Sequence, residues 1–89
     1  MWYVYILLCD QKTYYVGLTS NITNRLRSHK MKENIATKKF SDLVLIYTEE
    51  YKTRKEAERR ESQIKKWTKA KKKALIEGDI ELLKKLSKS

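Results

Sequence analysis

Trp2 to Cys9 is a continuous apolar and aromatic run, the pattern expected of a strand covered on both faces. Asp10-Gln11-Lys12 interrupts it with polar, turn-forming residues, and β-branched and aromatic residues resume from Thr13 to Gly17. Together the two segments predict a β-hairpin. If the turn pairs Cys9 with Thr13, then Leu7 faces Tyr15 and Tyr5 faces Gly17. Tyr5 and Tyr15 then project from one sheet face as diagonal neighbours, within reach of one phosphate. A slip of one residue would part them.

Beyond the hairpin, Thr19-Ser20-Asn21 offers several N-cap residues, with Ser20 favoured. The spacing predicts a helix over Asn21 to Lys32, with Ile22 and Leu26 facing inward. Lys30 to Phe40 lacks a period and reads as a basic loop. Leu43 to Tyr51, rich in Leu, Val, Ile and Tyr, reads as a third strand. Thr53-Arg54-Lys55-Glu56 has the form of a capping box and opens a helix running to about Trp67. Thr68 caps a short helix that Gly78 ends, and Asp79 opens a last one over 79–87. The apolar stripe of that last helix, Leu82, Leu83 and Leu86, is expected to pack onto the sheet. The order ββαβααα predicts an α+β fold, a three-stranded mixed or antiparallel sheet flanked by helices.

Length narrows this further. With 89 residues the chain has room for one domain, spanning 1–89, whose core buries roughly 60–65% of the unfolded surface. A composition that is 40% hydrophobic argues for a folded core rather than disorder. Cys9 is the only cysteine, which excludes an internal disulfide, and one histidine leaves no Cys/His zinc site. The apolar N-terminal run is too short for a membrane span and lacks the basic flank of a signal peptide, so a cytoplasmic protein with no membrane partner is expected.

Charge adds a partner. The formal net charge is +10, and Lys52 to Lys73 carries eleven basic against three acidic side chains. Such a stretch suits a polyanion, and also suits a plainly solvated helix face. Lys65, Lys66, Lys69, Lys71, Lys72 and Lys73 are its candidate backbone contacts.

The chemistry rests on a few side chains. On a helix wheel Glu61 lies roughly 40° from Ala57 and roughly 60° from Ile64, so it points toward the core side. An inward carboxylate must be paired with a neighbouring cation, protonated or metal-bound. Arg25 and His29 are four apart and share a helix face. An arginine fork matches phosphate oxygens, and a histidine can exchange a proton with water or a tyrosine. A phenol with pKa near 10 is roughly one part in a thousand ionised at pH 7, and cationic surroundings would lower that pKa. Gly17 would let a backbone or phosphate approach closely opposite Tyr5. Thr19 and Ser20 could donate to a phosphate at the helix start.

Tyr3-Val4-Tyr5, Tyr15-Val16-Gly17, Arg25, His29 and Glu56-Ala57-x-x-x-Glu61, in that order, resemble the motifs of the GIY-YIG nuclease family. The resemblance runs over about 3–76 and is closest to small stand-alone bacterial members. It extends to the N-terminal nuclease domain of the excision-repair nuclease, which points toward DNA repair. It implies metal-dependent cleavage of nucleic acid, DNA ahead of RNA, at ends or irregular structures rather than at a sequence. Tyr5, Tyr15, Arg25 and His29 would be catalytic, and Glu61 would hold one Mg²⁺ or Mn²⁺. A lone carboxylate binds such an ion weakly without substrate. Which of Tyr5 and Tyr15 is the base stays open, and a monomer is assumed. The chain departs from the family in having Leu18 where some relatives carry lysine, and no asparagine after Asn34. Those departures motivate an alternative, a non-catalytic nucleic-acid-binding module of the same fold. A membrane-surface or scaffold role for the C-terminal amphipathic helix is a third reading.

Overall fold

A computed structural model describes residues 1–31 and 37–88. The end of the first predicted helix and the middle of the predicted basic loop lie outside the described residues. The strands are β1 (Trp2–Cys9), β2 (Thr13–Thr19) and β3 (Leu43–Tyr51). The helices are α1 (Ile22–Lys30), α2 (Arg54–Lys65), α3 (Lys69–Glu77) and α4 (Ile80–Lys88). The strand order is β2-β1-β3, and both pairings are antiparallel. Of the two expected sheet types the antiparallel one is found, with no parallel pairing among the described residues.

The central place of β1 explains its unbroken apolar run. Val4 and Ile6 face one side, where they pack with Val16, Ala57 and Ile64 beneath α2 and α3. Tyr5, Leu7 and Cys9 face the other, where Ile22 and Leu26 of α1 cover them. The hairpin register is the expected one, Cys9 with Thr13, Leu7 with Tyr15 and Tyr5 with Gly17. Its turn holds Asp10 (φ 51°) and Gln11 (φ 59°) in the left-handed region, which aspartate tolerates better than most residues. Asp10 Oδ1 also accepts from the backbone N–H groups of Ser41 (2.9 Å) and Asp42 (2.8 Å), tying the turn to the entry of β3.

Helix ends follow their capping residues. Asn21, not Ser20, caps α1: its Oδ1 accepts from Asn24 N at 3.1 Å. Thr53 accepts from Glu56 N at 3.2 Å, and its hydroxyl donates to the Glu56 carboxylate at 2.9 Å. Thr68 caps α3, and Gly78 ends it in the left-handed conformation (φ 73°). The last helix departs from expectation, because α4 packs on α3 rather than on the sheet and Leu82 stays 41% exposed. The three strands already have both faces covered by the other helices, so α4 is left to extend the helical layer. Among the described residues no helix is long and apolar enough to cross a membrane.

Candidate active site

The hairpin register puts Tyr5 and Tyr15 on the α1 side of the sheet, with ring centroids 6.3 Å apart. Tyr5 lies across Gly17. A Cβ built on Gly17 would fall 2.3 Å from both Cζ and the hydroxyl oxygen of Tyr5. The missing side chain therefore makes room for the Tyr5 ring, and the opening for a phosphate expected opposite Tyr5 is filled.

His29 comes from the last turn of α1 and is fully buried against both tyrosines, 5.8 Å from the Tyr5 ring and 5.2 Å from the Tyr15 ring. Its Nε2 shares a hydrogen bond with the Tyr5 hydroxyl at 2.9 Å, and its Nδ1 shares one with Thr37 Oγ1 at 2.6 Å. One tautomer lets Tyr5 donate to His29 and His29 to Thr37; the other reverses both bonds. Either way three buried side chains form one continuous proton path. Burial, reinforced by the Arg25 charge, holds the imidazole below its ordinary pKa of 6.5, so it is neutral at pH 7.

The Tyr5 phenol is raised above its ordinary 10.0. Burial is the main cause and Tyr15 adds to it, while Arg25 opposes and Glu61 raises it further. The expected lowering by cations is thus overturned: with Tyr5 only 1% exposed, the cost of burying a phenolate exceeds what one exposed arginine returns. Arg25 itself is exposed and makes no ion pair among the described residues, which leaves its fork available to an incoming anion.

Glu61 approaches from α2. Ala57 and Ile64 are that helix's buried stripe, and Arg60 and Glu61, roughly 100° apart, flank it on opposite sides. Arg60 reaches Glu49 on β3 at 2.9 Å, so Glu61 takes the flank toward the edge strand β2. Its side chain is 18% exposed, its charge is felt by the Tyr5 phenol, and Lys65 Nζ stands at 3.7 Å. That long contact to an exposed lysine is easily displaced. No group of three His, Cys, Asp or Glu side chains fit to hold an ion occurs among the described residues. One accessible carboxylate suits a hard cation that keeps most of its waters and takes the rest of its shell from substrate.

Other sequence candidates are placed differently. Thr19 is buried, and its hydroxyl both donates to Asn21 O and accepts from Asn21 N at 3.1 Å, so it shapes the turn into α1 instead of facing a phosphate. Lys65 and Lys66 are exposed at the end of α2. Lys71 stacks over Trp67 at 4.3 Å, and Lys69 over Tyr14 at 5.7 Å. Trp67 and Tyr14 belong to the core opposite the Tyr5 cluster. The α3 lysines Lys69, Lys71, Lys72 and Lys73 therefore do not join Arg25 on one surface.

Two features escaped the sequence. Thr37 sits in a segment with no period to orient it. Glu49 accepts from Tyr47 (2.5 Å), Tyr51 (2.6 Å) and Arg60 (2.9 and 3.1 Å), a cluster whose members lie in a strand and a helix without a shared motif.

Comparison with known proteins bears on the family and the fold. Residues 1–74 match the model of the GIY-YIG catalytic domain. A UPF0213 protein of Syntrophus aciditrophicus is 40% identical over 89% of this chain and 93% of its own length. One from Staphylococcus haemolyticus is 36% identical over 84% and 93%. The solution structure of the UPF0213 protein BH0048 from Bacillus halodurans superposes with a TM-score of 0.57 at 29% identity, covering 86% of this chain and 84% of that one. GIY-YIG domains form a nuclease superfamily whose members generally use divalent metal ions. With two tyrosines, an arginine, a histidine and a glutamate in family order and residues 1–74 matching the catalytic-domain model, the chain belongs to the GIY-YIG family.

Proposed function

We propose that this protein is a nuclease of the cytoplasm that hydrolyses phosphodiester bonds, in DNA before RNA, with one weakly held Mg²⁺ or Mn²⁺ at Glu61. The observation that carries this reading is the meeting of Tyr5, Tyr15 and His29, with ring centroids 5.2–6.3 Å apart, beside Arg25 and within the field of Glu61. A merely structural tyrosine cluster has no need of an exposed arginine with no ion pair among the described residues, or of a partly exposed carboxylate whose charge it feels.

Tyr5 rather than Tyr15 takes the base role, because only Tyr5 has a neutral imidazole to receive its proton. An attacking water gives its proton to the Tyr5 oxygen as the Tyr5 proton passes to His29 Nε2, while His29 Nδ1–H remains bonded to Thr37. No free phenolate forms, which suits a phenol whose pKa is raised. An imidazolium buried near Arg25 is unfavourable, so the proton returns readily through Tyr5 to solvent or product. Tyr15 orients the water or the phosphate, and the Arg25 fork meets the oxygens where charge develops. A cation held by Glu61 would polarise the phosphate and stabilise the leaving oxygen. Among the described residues no element offers a recognition helix for base edges, which favours ends and irregular structures over a defined sequence.

Incubation with single-stranded, duplex and branched DNA, with Mg²⁺ or Mn²⁺ and with chelator, tests this. Wild type should nick only with metal, and Glu61→Ala should not nick. Equal nicking by both overturns the reading; tight binding without cleavage by wild type establishes the non-catalytic module that the lysine-rich α3 also suits.

A further inference from the structure

A cavity of about 300 Å³ opens at the hairpin turn, on the sheet face away from the Tyr5 cluster. It is lined by Lys12, Thr13, Tyr14, Lys69 and Lys72, with no carboxylate among them. The Lys69 ammonium is already oriented: it donates to the Lys12 carbonyl and lies over the Tyr14 ring. Lys12 and Lys72 make no ion pair among the described residues. Three lysines line one concavity, and an anion seated there would offset the repulsion among their charges, with the Lys69 side chain already ordered.

The position of the cavity says which anion. Tyr14 and Tyr15 are neighbours on β2 and point to opposite faces of the sheet. One lines the cavity; the other belongs to the cleavage cluster. Because β2 is an edge strand, a polyanion can reach both only by turning round that edge. A duplex, with a persistence length of about 150 base pairs, resists so tight a turn; a single strand does not.

We propose that this cavity is a phosphate subsite for a single-stranded stretch of the substrate that continues from the cleavage cluster round the edge of β2. The proposal rests on the nuclease reading and narrows its substrate to nucleic acid with a tail, flap or frayed end. Lys12 and Thr13 enter it as contacts, alongside Lys69 and Lys72.

Binding in chelator separates the two claims. Fluorescence anisotropy would compare a hairpin duplex carrying a single-stranded tail with the same hairpin blunt-ended, across a salt series. For Lys12→Gln/Lys72→Gln, affinity for the tailed hairpin should fall roughly tenfold and its salt slope by about 1.4, as expected for two lost phosphate contacts on a single strand. The blunt hairpin should change less than about twofold. Lys12→Arg/Lys72→Arg, which keeps the charges, should retain affinity for the tailed hairpin. Equal weakening of both hairpins, or no weakening of either, overturns the subsite. If wild type cleaves with metal but the substitutions leave its preference for the tailed hairpin unchanged, the subsite falls and the nuclease stands. If wild type does not cleave while the tail effect persists, the nuclease falls and the subsite stands.

Discussion

Two tyrosine networks lie on opposite sides of the same sheet, and they differ in how far their hydrogen bonds are used up. Around Glu49 every acceptor is used: Tyr47, Tyr51 and both reachable nitrogens of Arg60 donate to its two oxygens. Burial pushes the Glu49 pKa up, but the hydrogen bonds from Arg60, Tyr47 and Tyr51 outweigh it and hold the carboxyl below its ordinary 4.5. The same carboxylate raises Tyr51 to about 12 after burial has done its part. That network is closed and charged, and it fixes α2 against β3. The Tyr5–His29–Thr37 chain is neutral and linear, and its Tyr5 end lies beside Tyr15 and Arg25. A saturated cluster can hold a helix in place, whereas a proton path with a free end can accept something new.

The two networks should respond oppositely to mutation. Tyr5→Phe removes the relay's first oxygen, so cleavage should fall on the order of 10³-fold, measured as initial nicking rate. Its stability cost should be about 1–2 kcal/mol, from the partner left unbonded on His29. Glu49→Ala reverses the emphasis. It strands Arg60 and two phenols, costing about 3 kcal/mol in a urea melt, with nicking per folded molecule nearly kept. If Tyr5→Phe were as active as wild type, or Glu49→Ala as stable, the contrast would collapse. Arg25→Ala comes next: nicking should drop on the order of 10²-fold, with stability within about 0.5 kcal/mol because the side chain is exposed.

The smallest effect is a pH dependence. His29 in the unfolded chain takes up a proton near 6.5, while in the folded protein burial and Arg25 keep it neutral to lower pH. Below pH 6.5 the unfolded state thus binds more protons, and stability present above that pH declines as pH falls. Between pH 6.5 and about 5, above the range where carboxylates titrate, the slope should be at most roughly 1.4 kcal/mol per pH unit. Urea midpoints that rise on acidification in this window would contradict a histidine held neutral.

Much of this was legible in the sequence, for local reasons. A polar triplet between two apolar runs fixed the hairpin register, and with it the shared face of Tyr5 and Tyr15. Thr53, Thr68, Gly78 and Asp79 mark helix ends through side-chain and backbone bonds that span only a few residues. What stayed hidden depends on packing between distant elements. The rise of the Tyr5 pKa needs α1 laid over β1, and the role of Thr37 needs its segment folded against His29. The opposed placement of Arg25 and the α3 lysines follows from which face each helix covers, which no spacing encodes. Gly17 reads in one dimension as a gap for substrate because its filler, the Tyr5 ring, comes from the neighbouring strand.

Convergence of Glu61 with the tyrosine cluster at the edge of β2 is best tested by titrating Mn²⁺ into isotopically labelled protein and following paramagnetic line broadening. Signals from Glu61, Tyr5, Tyr15, Gly17 and Arg25 should broaden first, those of Tyr47 and Tyr51 should stay sharp, and Glu61→Gln should abolish the effect. Broadening centred on Glu49, or unchanged in Glu61→Gln, would contradict the account.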